Sequence, residues 1–228
     1  AALALPFGLA ASPILLTGFV VAALYCIDAL YAERRDRSIL FWKSLPVSDR
    51  ATVLAKFATA TVVQPAIACA IAGAAVVVIL LGGAAMLAAG GIAPGPLWAH
   101  LPLLPLLVAL VYGVAAHALW YAPIFGWLLL VSGWAKRAPL LWAVLPWIAA
   151  VAVERIAFGT RYVGALVAHR LSGALDAAFF PSARKIVTSF ADLDPVGFVA
   201  TPGLWLGLAF AAACLVAAIR LRRVREPL

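Results

Sequence analysis

The sequence predicts an all-α, polytopic membrane bundle, and three observations carry that prediction. The chain is 66% hydrophobic and 11% charged over 228 residues, with a mean hydropathy of +1.09; a soluble domain is about half apolar and about a quarter charged. Its apolar residues gather into five runs, at about 3 to 32, 51 to 82, 97 to 133, 138 to 157 and 202 to 221, each reaching the ~20 residues that a crossing helix needs. The runs are rich in Ala, Leu and Gly and lack the period-two alternation of a membrane barrel. A single transmembrane domain therefore covers residues 1 to 228, with a charged loop at 33 to 50, a polar segment at 158 to 200 and a basic tail at 220 to 228.

The first run opens on Ala1-Ala2-Leu3-Ala4, with neither an initiating Met nor a charged n-region. It does not read as a signal peptide, and the chain is expected to begin partway into a longer protein. Asp28 stands one turn before the charged loop, where local pairing or interfacial water would satisfy it. The loop begins with Glu33, Arg34, Arg35, Asp36 and Arg37, and these charges should keep it out of the bilayer. Ile39, Leu40, Phe41, Trp42 and Leu45 follow and offer a partner something to bury, because aromatic and Arg side chains dominate binding anchors. Pro46 should end a short helix, and Ser48 or Asp49 can cap the next.

In the second run, Gln64 is a polar group far from either end. The third run is too long: 37 helical residues would extend about 55 Å against a hydrocarbon core of about 30 Å. Pro102, Pro105 and Pro123 allow a kink, a break or a projecting part, and one long tilted helix fits equally well. His117 lies within this run and His100 near its start. A continuous helix would separate them by about 25 Å, so they do not form one site. Gln64 and His117 are the two interior polar groups assigned to a transport path, since polar side chains are costly in lipid and often functional there. Glu154 follows in the fourth run beside Arg155.

Between the fourth and fifth runs, Val163, Leu166, Val167, Leu171, Leu175 and Phe179 recur at helical spacing while Arg161, Arg170 and Asp176 fall elsewhere. This predicts an amphipathic helix resting on the outer interface or dipping into it. Orientation follows from the basic residues. With the 33 to 50 loop cytoplasmic, 12 of the 17 Lys and Arg residues fall on that side, which makes the 158 to 200 segment external and the C-terminus cytoplasmic. Trp98, Trp120, Trp127, Trp134, Trp142, Trp147 and Trp205 are expected mostly as interface anchors.

Several function classes are disfavoured. Cys26, Cys69 and Cys214 show no metal or disulfide spacing and read as buried apolar groups. No phosphate-loop, His-Glu-x-x-His, Gly-x-Ser-x-Gly or Cys-x-x-Cys motif occurs. The net charge of +8 suits a cytoplasmic face and anionic headgroups better than nucleic acid.

The run from Glu33 to Lys56 resembles the first cytoplasmic loop of permease subunits of type-2 ABC exporters. The matching elements are the charged Glu33-Arg34-Arg35-Asp36-Arg37, the short helix Ser38 to Leu45, the turn Leu45-Pro46-Val47-Ser48, and Leu54-Ala55-Lys56 opening the next span. The resemblance implies that the helix is a coupling helix seated in a groove of an ATP-binding subunit, with Glu33 to Arg37, Ile39, Leu40, Phe41, Trp42, Leu45 and Pro46 at that contact. It implies two ATP-binding subunits holding ATP and Mg, a second permease copy, and no cofactor, metal or catalytic residue in this chain. Multi-pass insertion in a bacterial plasma membrane, contact with lipids, and a sixth span upstream of Ala1 are further expectations. The substrate class that suits such a composition is amphipathic: a drug, peptide, lipid or lipid-linked glycan. The alternative is an ATP-independent membrane enzyme or assembly subunit acting on lipids or quinones, in which the loop serves only as a topology signal.

Overall fold

A computed structural model describes residues 5–93, 95, 103–179 and 193–224. Trp98, His100, Pro102, Pro181, Ser182, Arg184, Lys185 and Arg225 lie outside the described residues. Among those described, five helices are long and apolar enough to cross a membrane. The elements in chain order are α1 (Leu5–Ala29), α2 (Tyr31–Arg35), α3 (Ile39–Ser44), α4 (Asp49–Ala58), α5 (Gln64–Ala89), α6 (Leu103–Trp134), α7 (Pro139–Val153), α8 (Tyr162–Ser172), α9 (Ala174–Ala178), α10 (Pro195–Ala200) and α11 (Pro202–Val224).

The second span is α4 and α5 joined through a π-helical turn at Thr59–Val63. Its cause is local. Pro65 cannot donate a backbone hydrogen bond, and Thr59 and Thr61 turn their hydroxyls back onto the Ala55 and Phe57 carbonyls, each at 2.9 Å. The Gln64 N–H then reaches five residues back, to the Thr59 carbonyl, so the extra residue is absorbed without breaking the span.

The third run is one continuous helix over Leu103–Trp134, about 48 Å long. Pro105 sits in its first turn, where no donor is missed, and Pro123 is accommodated inside it. Helix α6 is the axis of the fold. Phe125, Leu129 and Val131 on it, with Cys26, Leu30, Val53 and Ala218 from its neighbours, make the largest buried apolar cluster.

Small residues decide how close the neighbours come, as they must where lipid removes the hydrophobic drive between helices. A Cβ on Gly126 would stand 3.3 Å from the Ala211 backbone, so α6 and α11 are in near-backbone contact. On α11, the residues Gly207, Ala211, Cys214 and Ala218 form the buried stripe. Helix α7 buries only Ala143 and is otherwise peripheral.

The long helices alternate in direction. The ends of α1, α6 and α11 and the beginnings of α4 and α7 gather at one charged end, while α8 to α10 occupy the opposite end. There the polar segment folds back along α6. Trp120, midway along α6, donates its indole N–H to the Arg170 carbonyl at 2.9 Å, and the Tyr121 hydroxyl donates to the Leu171 carbonyl at 3.0 Å.

Candidate functional site

At the charged end, Glu33 is the hub of an ion-pair network that joins three elements. One carboxylate oxygen meets Lys56 Nζ at 3.0 Å, and the other meets Arg222 Nη2 at 2.9 Å. Arg222 extends the chain through Nη1 to Asp49 at 2.6 Å, and Lys56 also donates to the Ala29 carbonyl at 2.9 Å. The last turn of α11 is thereby tied to α2 and to the first residue of α4. Arg222 and Glu33 are both buried. Charges of this kind are held in a low dielectric only because each is paired.

A second junction lies beside it. The buried Ser132 hydroxyl, in the last turns of α6, accepts from the Leu30 and Tyr31 N–H groups at 2.9 Å each. Those donors sit at the step from α1 to α2, where the helix ladder is interrupted. Arg34 reaches back to the Ser132 and Ala135 carbonyls at 2.9 and 2.6 Å and so caps the end of α6.

Between the two junctions, the chain turns at Arg37, whose φ of 59° is left-handed. Helix α3 then runs from Ile39 to Ser44, and Leu45 after it is extended because Pro46 follows. Ser48 caps α4 by accepting from the Ala51 N–H at 3.1 Å. The expectation that Glu33, Arg34 and Ile39 belong to an open docking surface is corrected. All three are buried in the chain's own packing, since Glu33 and Arg34 find partners on α4, α6 and α11, and Ile39 is 2% exposed. Arg35, Asp36, Arg37, Leu40, Phe41, Trp42 and Pro46 are exposed, and Leu45 is half-buried. Arg35 pairs with Asp36 at 2.9 Å and, through that hydrogen bond, holds its carboxyl below the usual range. Trp42 walls an open groove of about 780 Å³ with Tyr25, Asp28, Asp36 and Lys56.

Gln64 and His117 are not brought together. Gln64 stands about 12 Å along its helix from Lys56, whereas His117 stands about 22 Å along α6 from Ser132, and no hydrogen bond joins them among the described residues. His117 packs among Phe19, Tyr121 and Phe125, with ring centroids 6.2, 4.7 and 6.3 Å away. That surrounding is aromatic packing. Trp120 is likewise core, 1% exposed, and not an interface anchor.

At the opposite end, Glu154 does not pair with Arg155. Its carboxylate accepts from the Thr160 hydroxyl at 2.8 Å and from the Tyr162 and Val163 N–H groups at 2.6 and 2.8 Å, and so caps α8 from the preceding span. The face of α8 turned to the bundle also departs from the apolar pattern. Val163, Val167 and Arg170 are half-buried there, while Leu166 and Leu171 are exposed. Trp120 decides this, since one face of the Arg170 guanidinium lies over its ring at 4.7 Å.

Arg222 and Ser132 were not singled out by sequence reasoning, and Asp49 was read only as a candidate helix cap. Arg222 carried one usable signal, its place on the stripe Gly207, Ala211, Cys214, Ala218, which the neighbouring Arg220 and Arg223 obscure. No protein-family model, curated protein or solved structure matches this chain.

Proposed function

We propose that this chain is the membrane-spanning permease subunit of an ATP-driven exporter of the type-2 ABC class, moving an amphipathic or lipid-like substrate outward. ATP binding and hydrolysis belong to a separate subunit, and the charged end faces the cytoplasm. The observation that carries the reading is α3. It is anchored at its base by buried Ile39 and presents Leu40, Phe41 and Trp42 to the outside, 58%, 61% and 42% exposed. An aromatic pair held on a short fixed helix is a docking element for a protein groove.

The anchoring supplies the mechanical link. Helix α3 follows α2 directly, and α2 carries Glu33 and Arg34. Force on Phe41 and Trp42 therefore reaches α4 and α11 through Glu33, and α6 through Arg34. Two permeases and two ATP-binding subunits would make the working complex, with the substrate path between the permease copies.

Truncating a buried interface anchor typically costs about 2 kcal/mol, or some thirtyfold in association. The variants Phe41→Ala and Trp42→Ala should therefore insert normally, yet lose ATPase recruitment or uncouple ATP turnover from export. A double variant that keeps both assembly and substrate-stimulated turnover would remove α3 from the mechanism.

A further inference from the structure

Among the described residues no acidic group lies within ion-pair distance of Arg170, and Nη2 makes its one side-chain hydrogen bond, to the Gly203 carbonyl at 2.8 Å. Nη1 is enclosed with no hydrogen-bond partner. The glycine at 207 is what admits the guanidinium: a Cβ there would overlap Nη2 and crowd the Pro123 ring. At the charged end Arg222 Nε is likewise enclosed without a hydrogen-bond partner, but there each charge of the Glu33 network meets an opposite charge.

The position is equally specific. Gly207 and Gly203 stand 15 and 19 residues before Arg222 on α11, about 22 to 28 Å along the helix. Arg222 closes the charged end, so Arg170 lies near the far boundary of a hydrocarbon core about 30 Å thick. A guanidinium with no counter-charge among the described residues is costly at that depth and points to function. The side chain is half-buried, not enclosed, so part of it is open to the surroundings. Trp120 backs the guanidinium from within the core, and the exposed Leu166 and Leu171 on the same helix supply apolar surface for a chain.

We infer that Arg170 receives the anionic phosphate headgroup of an amphiphile whose acyl or alkyl chain lies against α8. The guanidinium rests against Trp120 and the Gly203 carbonyl when empty and turns its unused donors to the phosphate when occupied. The inference needs the membrane-spanning fold and is independent of any ATP-binding partner.

Native mass spectrometry of the full chain in mild detergent, with phosphatidylglycerol and phosphatidylcholine supplied at equal concentration, tests it. Wild type should retain phosphatidylglycerol preferentially by about tenfold, the worth of one charge-assisted hydrogen bond. Arg170→Gln should bring the ratio close to parity, and Arg170→Lys should keep most of the preference. Dodecyl phosphate should displace the lipid where the same concentration of inorganic phosphate does not; equal displacement by both would overturn the amphiphile assignment. Unchanged selectivity in Arg170→Gln would overturn the role of the arginine. Photoactivatable phosphatidylglycerol on wild type keeps the test open if that variant does not fold. Crosslinks should fall on α8 or the first turns of α11, and crosslinks confined to other elements would refute the site.

Discussion

Removing the Glu33 charge is the most revealing perturbation of the charged end. In Glu33→Gln the side-chain shape is kept, but Lys56 and Arg222 face a neutral amide in a site where the native carboxylate is 9% and the Arg222 side chain 4% exposed. Stripping one partner from a buried ion pair typically costs 3–5 kcal/mol. Here each cation retains one other partner, Ala29 O for Lys56 and Asp49 for Arg222, so the lower end applies, about 3 kcal/mol. Arg222→Met should cost less, about 2 kcal/mol, because Glu33 keeps Lys56 while Asp49, 21% exposed, can turn to water.

The double variant decides whether the groups act together. If Glu33 and Arg222 stabilise each other, the two losses cannot add, since the second substitution removes a group whose main partner has already gone. A coupling of at least about 1.5 kcal/mol is expected for residues in one buried network. The assay is reversible unfolding in mixed micelles of native and denaturing detergent, followed by near-UV circular dichroism. Losses that add to within about 0.5 kcal/mol would show that the two charges are stabilised separately, and the network would not join α2 to α11 energetically.

Further outcomes follow from other contacts. Ser132→Ala leaves the Leu30 and Tyr31 N–H groups without their acceptor and should destabilise by about 1–3 kcal/mol in the same assay, whereas Ser132→Thr should retain much of that. Glu154→Gln keeps acceptor capacity at one oxygen only, so amide hydrogen exchange at Tyr162 and Val163 should accelerate while α6 is unaffected. Cysteine labelling in intact cells checks orientation: a tag at Ser182 should react from outside, and one at Arg37 only after permeabilisation.

The class of the molecule was legible because bilayer thickness acts on composition and run length alone. Each of the five apolar runs corresponds to a crossing-length helix among the described residues. The break at Pro46 and the cap at Ser48 were legible too, since both act within four residues of backbone. The π turn before Pro65 was not foreseen. Its ingredients were visible in Thr59, Thr61 and Pro65, but proline in a membrane span has several outcomes, and neighbouring helices choose among them.

The sequence by itself determined an all-helical membrane chain, the position of its charged loop, and the residue types available at each end. Only the tertiary structure decided which of those charges are available to a partner. Glu33 and Arg34 sit beside Arg35, Asp36 and Arg37 in one run, and nothing local separates them. Burial falls on the first two because Lys56, Asp49, Ser132 and Arg222 approach from three other elements, as far as 189 residues away. The same holds for Arg170, which by periodicity belongs on the wet face of an amphipathic helix. It turns inward because Trp120 offers a ring face and position 207 lacks a side chain. A charge is settled by the partners that the fold delivers to it, and those partners lie beyond the reach of any local pattern.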